Sequence, residues 1–285
     1  MSVPLPTRVA VVGAGTMGSG IAQVFAQAGC RVQLCDVSEQ ALDRAFDAIR
    51  HSLGRFVTRG TLTSGDADAT LARLERSSLD ACDRAELVVE AIVEDAQAKR
   101  RLFARLDRIC PPDVPLASNT SSVSITALGA ATSRPERVFG LHFMNPVPVM
   151  PLVEIVRGHR TDGTTITLAR EIAAHLGKTP IEAADAPGFI SNRVLMPMIN
   201  EAIFALMEGV GTVEAIDGVM TLGMRHPMGP LALADLIGLD VCLAILDVLH
   251  QGFGDPKYRA CPLLRRMVAA GHLGRKSGQG FYRYD

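Results

Sequence analysis

Val9-Ala-Val-Val-Gly-Ala-Gly-Thr-Met-Gly18 decides how the first half of the chain is read. A short apolar run, Arg8–Val12, has the composition of a buried strand. Three glycines follow in the pattern Gly13-x-Gly15-x-x-Gly18, and an apolar series with helical spacing runs from Met17 to Ala28 before Gly29. A strand turning through those glycines into a helix is the context that gives the pattern meaning. Gly13 permits the tight turn, Gly15 lets the backbone approach a pyrophosphate, and Gly18 lets helix and strand pack closely. Thr16 and Met17 open a helix whose free N–H groups and positive dipole end favour phosphate. A second strand, Val32–Cys35, ends at Asp36, about 20 residues on, where a carboxylate accepts hydrogen bonds from ribose hydroxyls and repels a 2′-phosphate. No Arg or Lys follows at once, since Val37 and Ser38 come next. The expected cofactor is NAD rather than NADP. Three glycines alone can simply make a turn, and it is strand, helix and acid together that argue otherwise.

Working outward, short apolar runs continue to alternate with helical patterns. Helices are expected over Glu39–Arg59, Asp95–Ile109 and Thr164–Leu176. Strands are expected over Glu86–Ala91, Pro115–Ser118, Val138–Phe143 and Leu152–Val156. Near-continuous apolar strands between helices predict a mostly parallel sheet covered on both faces. After Asp185-Ala-Pro-Gly188 the pattern becomes helical throughout, over Ile190–Met207, Thr212–Leu222, Pro230–Leu249 and Pro262–Ala270. The fold class is therefore α/β: a Rossmann-type, doubly wound domain over residues 1–185, then a smaller all-helical domain over 186–285. The apolar residues of the second domain cover a wide arc, part of which suits a subunit interface.

Two segments place polar residues on apolar backgrounds. In the alternating strand Val138–Phe143, His142 shares a face with Val138 and Gly140. A Pro-rich loop, Met144-Asn-Pro-Val-Pro-Val-Met-Pro, leads into Leu152-Val-Glu-Ile-Val, with Glu154 in the middle of the strand. A buried carboxylate costs several kcal/mol unless it is paired, and the nearest partner is His142 across the turn. A His held by a carboxylate is the arrangement of an oriented general base. The same two residues also read as a structural ion pair. The second segment, Ala117-Ser-Asn-Thr-Ser-Ser-Val, sets short polar side chains at the carboxyl end of the sheet, where doubly wound folds bind ligands. Ser122 or Ser124 reads equally as a cap for a short helix near Ile125.

Six motifs now stand in order. They are Gly13-Ala-Gly-Thr-Met-Gly, Ser118-Asn-Thr-Ser-Ser, Gly140-Leu-His-Phe-Met-Asn-Pro-Val-Pro, Pro187-Gly-Phe-Ile-Ser-Asn-Arg, Pro227-Met-Gly-Pro and Gly278-Gln-Gly-Phe-Tyr. Together they resemble the 3-hydroxyacyl-CoA dehydrogenase family in its short, single-function form, and the resemblance spans essentially the whole chain. It implies that His142 takes the proton of a substrate 3-hydroxyl, paired with Glu154, while Ser121 and Asn192 hydrogen-bond the reacting oxygens. It places Asp36, Glu94, Lys99, Ser121, Asn145 and Lys276 at the cofactor, and Ser52 and Arg59 at coenzyme A. Asn192 also fits the first turn of the helix that opens the second domain, where it reads alternatively as a helix-start cap. Glu94 and Lys99 flank a helix start and read equally as a solvated surface pair. Ser52, Arg55 and Arg59 share one helix face; Arg59 stands where the family often has lysine, and both bind phosphate.

Composition removes other classes. The 285 residues and a hydrophobic fraction of 48% allow a sizeable core in about two domains. A formal net charge of −1 gives no broad basic field for nucleic acid. Cys30, Cys35, Cys82, Cys110, Cys242 and Cys261 are scattered without Cys-x-x-Cys and read as reduced, mostly buried thiols; no metal is expected. Apolar runs fall short of the ~20 residues of a membrane span, and the N-terminus lacks a presequence pattern, so the expectation is cytoplasmic. The expected partners are an acyl-CoA substrate and a second copy of the chain, met through the helical domain. Two alternatives stay open: a sugar-acid dehydrogenase of the gulonate type, which would dispense with CoA, and a non-catalytic nucleotide-binding protein.

Overall fold

The computed structural model describes residues 5–284. The chain divides into two compact units between Ala186 and Pro187. The first is built on strands β1 (Arg8–Val12), β2 (Arg31–Cys35), β3 (Leu74–Ser77), β4 (Leu87–Glu90), β5 (Leu116–Ser118), β6 (Val138–Phe143), β7 (Leu152–Arg157) and β8 (Thr179–Ala184). They form one sheet in the order β3-β2-β1-β4-β5-β6-β7-β8. The pairs from β3 to β6 are parallel, β6 and β7 are antiparallel, and β8 returns parallel to β7. Helices α1 (Thr16–Gln27), α2 (Glu39–Thr58), α3 (Ser64–Ala72), α4 (Ala96–Ile109), α5 (Ile125–Gly129) and α6 (Gly163–His175) complete this unit. The strand order reverses between β1 and β4, which is where doubly wound sheets open a ligand crevice at their carboxyl ends.

The central strands are buried on both faces, with Val9, Ala10, Val11, Leu87, Val88 and Val89 all inaccessible to solvent. That is why they read as unbroken apolar runs. The two edge strands escaped the pattern. β3 is Leu-Glu-Arg-Ser and β8 is Thr-Pro-Ile-Glu-Ala-Ala, polar or proline-bearing sequences of the kind edges carry. α3 was not anticipated either, since it buries only Ala67 and Thr70.

The second unit is helical: α7 (Ser191–Met207), α8 (Val213–Gly218), α9 (Pro230–Ile237), α10 (Leu239–Phe253) and α11 (Pro262–Ala269). α8 runs straight into a wider π-type turn over Val219–Gly223. The single helix expected over Pro230–Leu249 is two, because Gly238 adopts φ 104°, outside helical geometry, and restarts the chain at Leu239. Ile199, Ile203, Leu231, Leu239, Leu246 and Leu264 form its core. The last segment folds back as an irregular hairpin through Gly274–Gln279 and Gln279–Arg283 bridges. All six cysteines are buried and free. Among the described residues no helix is long and apolar enough to cross a membrane, and no group of three or more metal-ligating side chains is placed to hold an ion.

Candidate active site

The carboxyl ends of β1, β2, β4, β5 and β6 carry most of the singled-out residues of the first unit. After β1, Gly13 turns with φ 109°, and a methyl there would lie 2.4 Å from the Ala91 carbonyl oxygen. A methyl on Gly18 would lie 1.7 Å from the Gly13 oxygen. These two glycines are needed for packing. Gly15 differs: nothing lies within 4 Å of its would-be Cβ, and it caps α1 without any side-chain hydrogen bond. The turn is open at Gly15 and Thr16, while Met17 is half-buried and Gly18 is packed against Gly13, and an open helix N-terminus of this kind suits a pyrophosphate. Asp36, just past β2, accepts from Ala14 N through Oδ2 at 2.7 Å and from Ser38 N through Oδ1 at 2.9 Å. Asp36 therefore holds the glycine turn. These features fit a dinucleotide.

After β4, Lys99 is not one half of a solvated pair. It is 1% exposed, and its Nζ lies 2.5 Å from Glu90 Oε1 and 3.2 Å from Glu94 Oε2. Glu94 turns its other oxygen on the polar loop after β5. Oε1 accepts from Thr120 Oγ1 at 2.6 Å, Ser121 N at 2.8 Å and Ser122 N at 2.9 Å, and from the Ser121 and Ser122 hydroxyls. Burial pushes the Glu94 carboxyl upward, but the Lys99 charge and these donors outweigh it and hold the group below its ordinary value. Of the two serines weighed as helix caps, Ser124 caps α5 by accepting from Ala127 N, while Ser122 belongs to Glu94.

After β6, the antiparallel register sets His142 directly opposite Glu154 on β7. His142 Nδ1 and Glu154 Oε2 are 2.8 Å apart, with the residues 7% and 1% exposed. A carboxylate against Nδ1 fixes the ring orientation and favours the tautomer with its lone pair on Nε2. Asn145 is exposed on the following loop. Ser52 is half-buried on α2, and Arg55 and Arg59 are exposed at its last turn and cap. In the second unit, Asn192 lies in the first turn of α7 and is buried. Lys276 Nζ donates to Asp240 Oδ2 at 2.7 Å.

Several supporting residues were not anticipated. Glu90, the last residue of an apolar strand, is wholly buried under this network. Asn119 Oδ1 accepts from Phe143 N at 2.9 Å, tying the loop after β5 to the end of β6. Lys178 donates to the Val147 and Met150 carbonyls at 2.7 and 2.8 Å and so pins the Pro-rich loop; burial lowers its pKa. Asp185 accepts from Ser124 Oγ, Ile125 N and Thr126 N. A signal existed only for Glu90, an acid closing the apolar strand Leu87-Val88-Val89.

The 3-hydroxyacyl-CoA dehydrogenase NAD-binding domain model matches residues 8–186, and the 3-hydroxyacyl-CoA dehydrogenase C-terminal domain model matches residues 188–284. The chain belongs to the 3-hydroxyacyl-CoA dehydrogenase family. It is accordingly an NAD-dependent oxidoreductase of the 3-hydroxyacyl-CoA type. A Deinococcus radiodurans protein named a probable 3-hydroxybutyryl-CoA dehydrogenase is 56% identical over 279 residues, covering 97% of this chain and 100% of its own. The 3-hydroxybutyryl-CoA dehydrogenase of Bradyrhizobium diazoefficiens is 51% identical over 278 residues, covering 97% and 95%. The crystal structure of (S)-3-hydroxybutyryl-CoA dehydrogenase from Ralstonia eutropha is similar with TM-score 0.95 and 47% identity, covering 98% of this chain and 99% of that one. The sugar-acid and non-catalytic alternatives are not favoured.

Proposed function

We propose that the protein interconverts short-chain (S)-3-hydroxyacyl-CoA and 3-ketoacyl-CoA, with His142 as the general base. The observation that carries this reading is the His142–Glu154 pair, 2.8 Å apart at the carboxyl end of β6. In the oxidation, His142 Nε2 accepts the substrate 3-hydroxyl proton as the C3–H bond breaks and the C3–O bond becomes a carbonyl. Bound NAD supplies the hydride acceptor. The Glu154 carboxylate stabilises the imidazolium that results, and reduction reverses each transfer. Ser121 and Asn192 donate to the reacting oxygens, whose charge changes between alkoxide and carbonyl.

Gly13, Gly15, Thr16, Met17 and Gly18 would hold the cofactor's pyrophosphate, and Asp36 its adenosine ribose. Glu94, Lys99 and Asn145 would serve the cofactor from the first unit, Lys99 acting from below through Glu94, and Lys276 is a further cofactor contact on this reading. Coenzyme A lies along the α2 face of Ser52 and Arg59. The short-chain preference draws on the 3-hydroxybutyryl names of the relatives. The N-terminal domain of residues 1–185 then binds cofactor, while the helical domain of residues 186–285 contributes to substrate binding and to a homodimer in the cytoplasm. Exposed Val219, Leu222 and Met224 support the last point, as apolar surface that a partner would cover.

His142→Gln tests the assignment. The variant should bind NADH normally and lose turnover by about 10²- to 10⁴-fold, the usual contribution of a general base. Near-normal turnover would reduce the pair to a structural ion pair.

A further inference from the structure

We infer that Glu90 is a positioning residue for the reaction, aligning Ser121 from beneath the sheet's carboxyl edge. The inference rests on the reading of Ser121 as a donor to the reacting oxygen. Glu90 does not touch that serine. Its Oε1 accepts from Lys99 Nζ at 2.5 Å and from Ile92 N at 2.7 Å, and its Oε2 accepts from Ser118 Oγ at 2.5 Å. Its carbonyl oxygen accepts from Asn119 N at 2.8 Å. The residue is 0% exposed. One side chain therefore fixes the turn after β4, the start of α4 and the start of the loop after β5.

Two routes lead from it to Ser121. The first is electrostatic. Lys99 is held at Glu90 and meets Glu94 Oε2 at 3.2 Å, while Glu94 Oε1 collects Ser121 N and the Ser121 hydroxyl at 2.8 and 3.2 Å. The second is local. Ser118 Oγ, anchored on Glu90, accepts from Thr120 N at 3.2 Å, one residue before Ser121. Two carboxylates share one buried ammonium, so where Lys99 sits decides where Glu94 sits. Neutralising Glu90 leaves Lys99 with Glu94 as its remaining anionic partner, and the ammonium moves toward the loop. A fold alone does not call for this arrangement, because a buried ion pair gives little net stability over an apolar replacement. Its yield is a fixed geometry for the serine loop.

The test is a double-mutant cycle on turnover per folded enzyme, with saturating NADH and acetoacetyl-CoA. It uses Glu90→Gln, Ser121→Ala and the two combined, with thermal unfolding run alongside. Glu90→Gln should lower turnover about 10- to 100-fold, the scale of an ångström-level misplacement. In the Ser121→Ala background it should cost almost nothing more, because the two act as a unit. Losses that multiply, or a Glu90→Gln protein that is less stable yet turns over normally per folded molecule, would overturn the inference. Should Glu90→Gln not fold, Ser118→Ala enters the cycle in its place with the same expectation. If Ser121→Ala alone leaves turnover unchanged, it is the reading of Ser121 that fails.

Discussion

Replacing Gly15 with alanine separates cofactor binding from folding at a single methyl group. Gly15 has φ −75° and ψ −171°, a conformation any residue adopts, and its added Cβ would meet nothing within 4 Å. The folding change is set by chain entropy against a slightly poorer helix cap, within about 1 kcal/mol. On the proposed placement, the same methyl stands where the pyrophosphate approaches the backbone. Losing one charged hydrogen bond there costs ~1.5–3 kcal/mol, or about 10- to 100-fold in NADH affinity. Gly18→Ala supplies the contrast, since its Cβ would lie 1.7 Å from a backbone oxygen and helix and strand would have to part. Overpacking of that severity costs ~3 kcal/mol, a fall of about 6–12 °C in Tm for a domain of this size. NADH fluorescence titration and thermal unfolding of both variants decide the matter. A Gly15→Ala protein that binds NADH as the parent does would refute the placement of the pyrophosphate over this turn.

Two further outcomes follow from the geometry. Arg59→Ala, at the exposed cap of α2, should raise KM for acetoacetyl-CoA about 3- to 10-fold and leave KM for NADH unchanged; equal values for the parent and the variant would remove this helix face from the CoA site. Glu94 is held below its ordinary pKa, so its contribution to stability is full above the unfolded carboxylate value of ~4.3 and is lost as pH falls through the lower folded value. Glu94→Gln should therefore narrow the stability gap to the parent as the solution is acidified through that window. A gap independent of pH would show that the loop is not held by the charged form.

The fold was legible where burial is two-sided. β1, β4 and β6 read as apolar runs because both faces are covered, and the glycine turn announced itself through its Gly-x-Gly-x-x-Gly spacing between strand and helix. β3 and β8 did not, because an edge strand is half solvated and takes polar residues and proline without penalty. Gly238 hid inside an apolar series whose helical period continues on both sides, and its φ of 104° depends on the tertiary path. In the site, Glu154 stood out as an acid in an apolar strand with one histidine within reach. Lys99 did not, because the sequence shows it near a helix start and gives no sign that a buried carboxylate is its partner. Glu90 supplies that carboxylate from another element, and contacts between elements have no local signature.

The most direct measurement is the rate of NADH oxidation by the purified protein with acetoacetyl-CoA, set beside free acetoacetate and NADPH. Rapid turnover that requires both the CoA thioester and NADH is the predicted result. Turnover indifferent to CoA, or none at all while NADH still binds, would contradict it.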